Sequence, residues 1–211
     1  MLSSLVDIGI NSSISILRVI VGIAISIAIA YPLSYLRFMI PIRVREFFLV
    51  KFIFEAPKFP PPIAWIPFVI LYFGINFWAA IVIVVIGAIP ALMTGLYDSF
   101  LRANDKYIYT AATLELTYWQ KLIHIYLPNS KNYFLTSLKT SIGMAWMSIV
   151  AAEMMGSQSG LGYAIQLARM NLEYDVVFIN IVAIGAIGWA FYMLSIKLNK
   201  NGLIKIRQRF L

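Results

Sequence analysis

Cysteine is absent from the 211 residues, and histidine occurs once, at His124. Disulfides, thiolate nucleophiles and cysteine-based metal sites are therefore excluded. A lone histidine makes no metal constellation and no Ser/His/Asp set. Charge is scarce too, at 12% of residues against about 25% in an ordinary soluble domain. Acids are the scarcer sign, with 9 Asp and Glu against 17 Lys and Arg. With 61% hydrophobic residues, a water-soluble globule is excluded. The 14 Phe, 12 Tyr and 5 Trp exclude a disordered chain as well. In a membrane protein the net charge of +8 is expected from Lys and Arg gathered on the cytoplasmic side, so no nucleic-acid partner is implied. The Gly-rich run Gly156-Ser157-Gln158-Ser159-Gly160-Leu161-Gly162 lacks the Lys-Ser/Thr end of a phosphate loop. No catalytic residues, metal or bound cofactor are expected; the chain reads as a non-enzyme.

What is present is a series of apolar runs. About 20 apolar residues cross a bilayer as a helix. The runs predict an all-α membrane protein, one domain over residues 1–211, with five spans at about 14–36, 46–73, 77–97, 133–155 and 176–196. The uncharged stretch Ile63 to Tyr97 is too long for one span and breaks near Gly74-Ile75-Asn76. Residues 1–13 hold Asp7 and no Lys or Arg, so a cleavable signal peptide is a poor reading and the first span is expected to be retained.

Charge sets the orientation. Arg37, Arg43, Arg45, Lys51 and Lys58 follow the first span; Arg102, Lys106, Lys121, Lys131 and Lys139 lie in or beside the segment 99–132; the tail adds Lys197, Lys200, Lys205, Arg207 and Arg209. The opposite side holds Asp7, Glu153, Glu173 and Asp175 against Arg169. By the positive-inside rule the N-terminus lies outside the cell membrane and the C-terminus in the cytoplasm.

The cytoplasmic segment 99–132 is far longer than the 2–8 residues a helix–helix connection needs. Asn104 or Asp105 is expected to cap a helix carrying Ile108, Ala111, Ala112, Glu115 and Trp119 on one face. Leu127-Pro128 is expected to close it, because a residue before proline is driven out of the α region. Ala111 and Ala112 would admit a partner's backbone closely. A helix resting on the headgroups, anchored by Tyr107, Tyr109, Tyr118 and Trp119, is the alternative. Four residues outside this segment are candidates for a solute path: Trp65, beside Pro57, Pro60, Pro61, Pro62 and Pro67, because a proline-broken helix needs partners that lipid does not offer; Trp146, mid-way along the fourth span; Arg18; and Glu153. Arg18 is also explained by snorkelling or by a structural pair with Glu153. His124 reads as an interfacial or subunit-contact residue. A short helix is expected at 163–170, on the outer surface.

Here a family resemblance enters. The run Thr110-Ala111-Ala112-Thr113-Leu114-Glu115-Leu116-Thr117-Tyr118-Trp119-Gln120, with Leu127-Pro128 after it, resembles the EAA loop of ABC-importer permeases. Arg18-Val19-Ile20-Val21-Gly22, Pro61-Pro62-Ile63-Ala64-Trp65-Ile66-Pro67, Leu71-Tyr72-Phe73-Gly74, Ala151-Ala152-Glu153 and Gly160-Leu161-Gly162-Tyr163 are similar to that family in the same order. The set looks most like its nitrate/sulfonate/taurine/bicarbonate branch. Aligned from Trp119 and Pro128, the family's Glu falls on Tyr109, one Ala on Thr110 and its Gly on Glu115; a one-residue gap moves the Ala pair to Ala111-Ala112. If Glu115 stays helical, the Gly-to-Glu change costs little. The family's usual first span has no counterpart here, which gives five rather than six.

The resemblance implies a type I importer permease moving a small solute, with an anion such as nitrate, a sulfonate or taurine among the candidates. It implies a cytoplasmic ATPase subunit that binds ATP and Mg, an extracytoplasmic solute-binding protein, and a second permease copy forming a homodimer in the lipid bilayer. Thr110, Ala111, Ala112, Leu114, Glu115, Leu116, Trp119, Leu127 and Pro128 would make the ATPase-coupling loop. Two rivals stand beside it. An ion-driven secondary transporter would carry several intramembrane acids and inverted repeats, and a non-transporting scaffold subunit would have no use for an EAA-like face.

Overall fold

The computed structural model describes the backbone of residues 2–207 and the side chains of residues 6–197 other than Asp105, Ile108 and Thr110. In chain order the helices are α1 (Leu2–Met39), α2 (Ile42–Arg45), α3 (Phe48–Glu55), α4 (Ile66–Phe73), α5 (Phe77–Thr113), α6 (Tyr118–Lys121), α7 (Leu127–Gly156), α8 (Leu161–Met170) and α9 (Tyr174–Arg207). Two 3₁₀ turns, Ala56–Lys58 and Pro62–Trp65, precede α4, and a π-helical turn, Leu122–Tyr126, joins α6 to α7. No strand occurs among the described residues.

Four stretches are long and apolar enough to cross a bilayer: Val6–Met39, Phe77–Asn104, Tyr118–Gly156 and Tyr174–Lys197. Two arginines mark their levels. Arg18 and Arg37 are separated on α1 by a rise of about 28 Å, close to the roughly 30 Å of hydrocarbon in a bilayer. Both reach across to α5, where Arg18 sits 5.3 Å from the Phe77 ring centre and Arg37 sits 4.1 Å from that of Tyr97. Arg18 also meets Glu153 at the end of α7. These partners mark two levels, called outer at Arg18 and inner at Arg37 after the orientation expected from the charges, and α1 and α5 run between them.

Helix α5 packs against both α1 and α7, and α9 packs against α7. Its closest approach depends on small residues, as expected where lipid supplies no hydrophobic drive. A Cβ on Gly87 would overlap Ser148, and one on Gly95 would overlap Ser137. Ser130, Ser137, Ser141 and Ser148 form a buried stripe on α7. Ser137 and Ser148 donate back to their own helix at Tyr133 and Met144, whereas Ser141 donates across to the Ala88 carbonyl of α5 at 3.1 Å. The apolar core divides in two: an outer half around Val19, Ile83, Val84, Ile149 and Leu161, and an inner half around Leu92, Leu96, Phe100 and Tyr126.

The expected span 46–73 differs from a single helix. Arg45, the last residue of α2 just ahead of α3, lies 5.5 Å from the Tyr97 ring, and Glu55, the last residue of α3, binds Arg37 at 2.5 Å. Both ends of α3 thus sit at the inner level, so α3 runs along that boundary with Phe48, Leu49, Phe52 and Ile53 exposed. The climb occupies only 55–73: Pro62 lies beside Gly87 and Ile70 beside Gly156 near the outer end. Prolines that lack an N–H and clash with the preceding turn fragment it. At Gly74 the chain turns with φ 71°, and Asn76 caps α5 by accepting from the Ala79 amide at 2.8 Å.

Candidate functional site

The inner hairpin is built from the ends of two spanning helices rather than from a separate helix. Asn104 does not start a helix: α5 continues unbroken to Thr113, about 24 Å beyond Tyr97 at 1.5 Å per residue. The Asn104 side chain instead accepts from the Tyr126 hydroxyl at 3.0 Å, tying the two arms together. The turn at the tip is a Schellman closure. The Leu116 amide bonds the Ala111 carbonyl and the Glu115 amide bonds the Ala112 carbonyl, each at 3.1 Å. Glu115 sits at φ 46°, so it is not helical, and the Gly-to-Glu change is not cheap. A Cβ in the left-handed region costs about 1–2 kcal/mol. Thr117 then opens α6 through a reciprocal capping box with Gln120.

Leu127-Pro128 does not close the segment either. Leu127 stays helical at φ −59°, ψ −50°. The π turn before it widens the helix, which relieves the clash of the proline ring with the preceding turn, and the Asn129 side chain donates to the Ile125 carbonyl at 2.6 Å. Of the residues expected to couple, Ala112, Leu114, Glu115, Trp119, Leu127 and Pro128 are exposed, with Leu114 63% and Trp119 74% accessible. Ala111 is buried and Leu116 half-buried against Ile125 and Tyr126. The Ala pair is therefore split, and only Ala112 is available to a partner. The side chain of Thr110 lies outside the described residues. His124 is exposed on the π turn.

At the outer level a buried polar knot joins α1, α7 and the loop 157–160. Arg18 and Glu153 are 3% and 1% exposed. Arg18 Nη1 donates to Glu153 Oε1 at 2.8 Å and to the Ser159 carbonyl at 2.8 Å, and Nη2 donates to Ser159 Oγ at 2.9 Å. Ser15 Oγ lies 2.9 and 2.8 Å from the two Glu153 oxygens. The amide of Gly162, at the start of α8, donates to Glu153 Oε2 at 3.1 Å, and the Leu161 amide donates to Ser15 Oγ. Asn11 accepts from the Gly160 amide at 2.9 Å. A charge pair removed from water needs such partners; of the guanidinium nitrogens, Nε is buried without one. The pair itself was readable from the sequence, whereas Ser15, Ser159 and Asn11 carried no signal beyond being small or polar on the right helix face.

The two tryptophans separate. Trp146 is 7% exposed, donates from Nε1 to the Ile184 carbonyl of α9 at 3.2 Å and meets Phe191 edge-on. Trp65 is 38% exposed, on the 3₁₀ turn of the broken segment, with its ring 6.3 Å from that of Phe68.

A spanning bundle, a polar lock at one end and an exposed hairpin at the other can be compared with known proteins. The family described as "Binding-protein-dependent transport system inner membrane component" matches residues 20–200. The chain belongs to this family. The permease is 36% identical to a putative ABC transporter permease protein of Methanocaldococcus jannaschii, over 88% of this chain and 67% of that one. It is 29% identical to a nitrate import permease protein of Leptolyngbya laminosa, over 82% of this chain and 61% of that one. Its fold matches a chain of the MetNI methionine ABC transporter in inward-facing form, with a TM-score of 0.76 at 17% identity, over 89% of this chain and 92% of that one. The permease is thus an all-α ABC-importer component of the cell membrane.

Proposed function

We propose that this permease works as one of two copies in an ATP-driven importer, with the hairpin at 99–132 transmitting ATPase motion to the spans. The observation that carries this is the hairpin tip. It stands well beyond the inner level, is closed rigidly at both turns, and offers Ala112, Leu114 and Trp119 uncovered. Exposed apolar residues on a stiff lever are suited to insertion into a partner's cleft. ATP and Mg would reside on that cytoplasmic partner, and an extracytoplasmic binding protein would deliver solute at the Arg18 level. The Lys- and Arg-rich inner level supports a cytoplasmic C-terminus and an outside N-terminus.

The solute is a small one, and an oxyanion is the class we favour because a nitrate import permease is among the relatives. Trp65 is the path residue we favour, since it is half-exposed where the crossing is broken. The buried hydrogen bonds of Arg18, Glu153 and Trp146 support a stabilising role for them beside the path. The ion-driven alternative gains little: Glu153, the acid within the crossing, is neutralised by Arg18.

The test is co-purification of the ATPase subunit with Ala112→Asp. We expect ATPase binding to be lost while membrane insertion and thermal stability remain. Retained binding would place the contact elsewhere. Ala111→Asp is unsuitable, because Ala111 is part of the inner core.

A further inference from the structure

A groove of about 510 Å³ lies between the last turns of α1 and the root of the hairpin. We propose that it seats one acyl chain of an anionic phospholipid from the leaflet on the Arg37 side. Pro32, Leu36 and Met39 line it from α1, and Trp119, Leu122 and Leu127 line it from the hairpin. Its surface is almost wholly apolar. A small hydrophilic solute finds few partners there, and neither does water. Depth then selects among apolar occupants. From Tyr31 to Met39 the groove follows α1 for about 12 Å, from about 9 Å on the Arg18 side of Arg37 to about 3 Å beyond it. It therefore crosses the level at which hydrocarbon gives way to headgroups. A soluble partner would have to enter the bilayer to reach Pro32, whereas a lipid chain is already at that depth.

Charge beside the groove identifies the headgroup. Lys121 holds its Nζ 5.9 Å from the centre of the Tyr118 ring, and Tyr118 lines the groove. Lys121 makes no ion pair among the described residues. Beyond Met39 the chain passes into α2, where Arg43 is exposed. No acid lines the groove, so a phosphate at its mouth meets cations of the kind that attract anionic lipids. The groove also adjoins the joint of the lever. Leu122 begins the π turn and Leu127 follows it, and the Tyr35 hydroxyl donates to the Tyr118 carbonyl at 3.2 Å, tying α1 to α6. A chain lodged here braces the hairpin against α1.

The test is native mass spectrometry of the delipidated full-length permease, titrated with dioleoyl phosphatidylglycerol or dioleoyl phosphatidylcholine. We expect one phosphatidylglycerol to bind about fivefold more tightly than phosphatidylcholine, as one lysine near the headgroup provides. Leu36→Trp, which fills the groove, should weaken binding of either lipid about tenfold or more, the equivalent of a few methylenes left unburied. Lys121→Gln should abolish the preference for phosphatidylglycerol, whereas Lys51→Gln, on α3, should leave it unchanged. Lipid-free melting temperatures show that the variants are folded; Met39→Trp repeats the blocking test if Leu36→Trp unfolds. Absence of a bound lipid, equal binding of the two lipids, or undiminished binding with the groove filled would each overturn the proposal. The same loss of preference in Lys51→Gln as in Lys121→Gln would overturn it too. So would a filled groove that keeps its lipid but no longer co-purifies the ATPase, since the occupant would then be that partner.

Discussion

Removing one partner of the Arg18–Glu153 pair leaves the other buried with its donors or acceptors unmet. Glu153→Leu would leave the Arg18 guanidinium buried without its counter-charge and the Gly162 amide without its acceptor, whereas Ser15 Oγ keeps the Asn11 carbonyl. Breaking a buried ion pair from one side costs about 3–5 kcal/mol, a large part of a typical stability of about 5–15 kcal/mol. Arg18→Met should cost a similar amount by leaving the carboxylate uncompensated. The double variant Arg18→Met/Glu153→Leu carries no buried charge and fills the site with apolar side chains. Its remaining cost comes from the Gly162 amide and the Ser159 carbonyl, about 1–3 kcal/mol for each buried group left unpaired. It should therefore be no less stable than either single variant, and far from the sum of the two. Reversible unfolding of detergent-solubilised protein in increasing SDS, followed by tryptophan fluorescence, measures all four states of the cycle. Distant, independent sites add within about 0.5 kcal/mol. An additive cycle here would refute the pair as a single locked unit.

Other outcomes follow from single residues. Glu115→Gly should stabilise the permease by about 1 kcal/mol by removing left-handed strain, partly offset by the glycine's freedom in the unfolded state; a loss of stability would mean that the Glu115 side chain contributes more than the strain removes. A cysteine at Gln158 should react with an impermeant thiol reagent from outside, and one at Leu114 only after the cell is opened; the reverse pattern would invert the orientation. Trp65→Ala should impair uptake with the melting temperature unchanged, whereas Trp146→Ala should cost about 3–5 kcal/mol of stability, as for other buried aromatics. Equal stability losses in the two variants would remove the distinction between them.

Apolar runs of crossing length were legible because bilayer thickness sets that length, and four of them are helices long and apolar enough to cross. The Arg18–Glu153 pair was legible because two rare charges at the same depth have few alternatives. The alignment also placed the family's glycine on Glu115, where the structure has a left-handed residue, so the condition under which the change would cost little, a helical Glu115, is not met. Three features were hidden. Local rules put a helix start at Asn104 and an end at Leu127-Pro128, yet packing against Tyr126 and a widened π turn override both. Residues 46–55 are apolar enough to read as membrane-crossing, and only the attachment of both ends of α3 to the Arg37–Tyr97 level shows that they run along the boundary. A pocket among α1, α8 and α9, lined by Asp7, Leu167 and Asn180 among others, is assembled from three separate elements that no linear motif joins.

The central claim is that this chain moves solute by means of ATP hydrolysed on a partner that grips the hairpin tip. Proteoliposomes holding the permease and its ATPase, with binding protein and labelled solute on the binding-protein side and ATP supplied to the ATPase side, test it directly. Uptake should require both ATP and the binding protein, and it should vanish with Ala112→Asp while the permease remains inserted. Uptake driven by an ion gradient in the absence of ATP, or full ATP-driven uptake by the Ala112→Asp protein, would contradict the account.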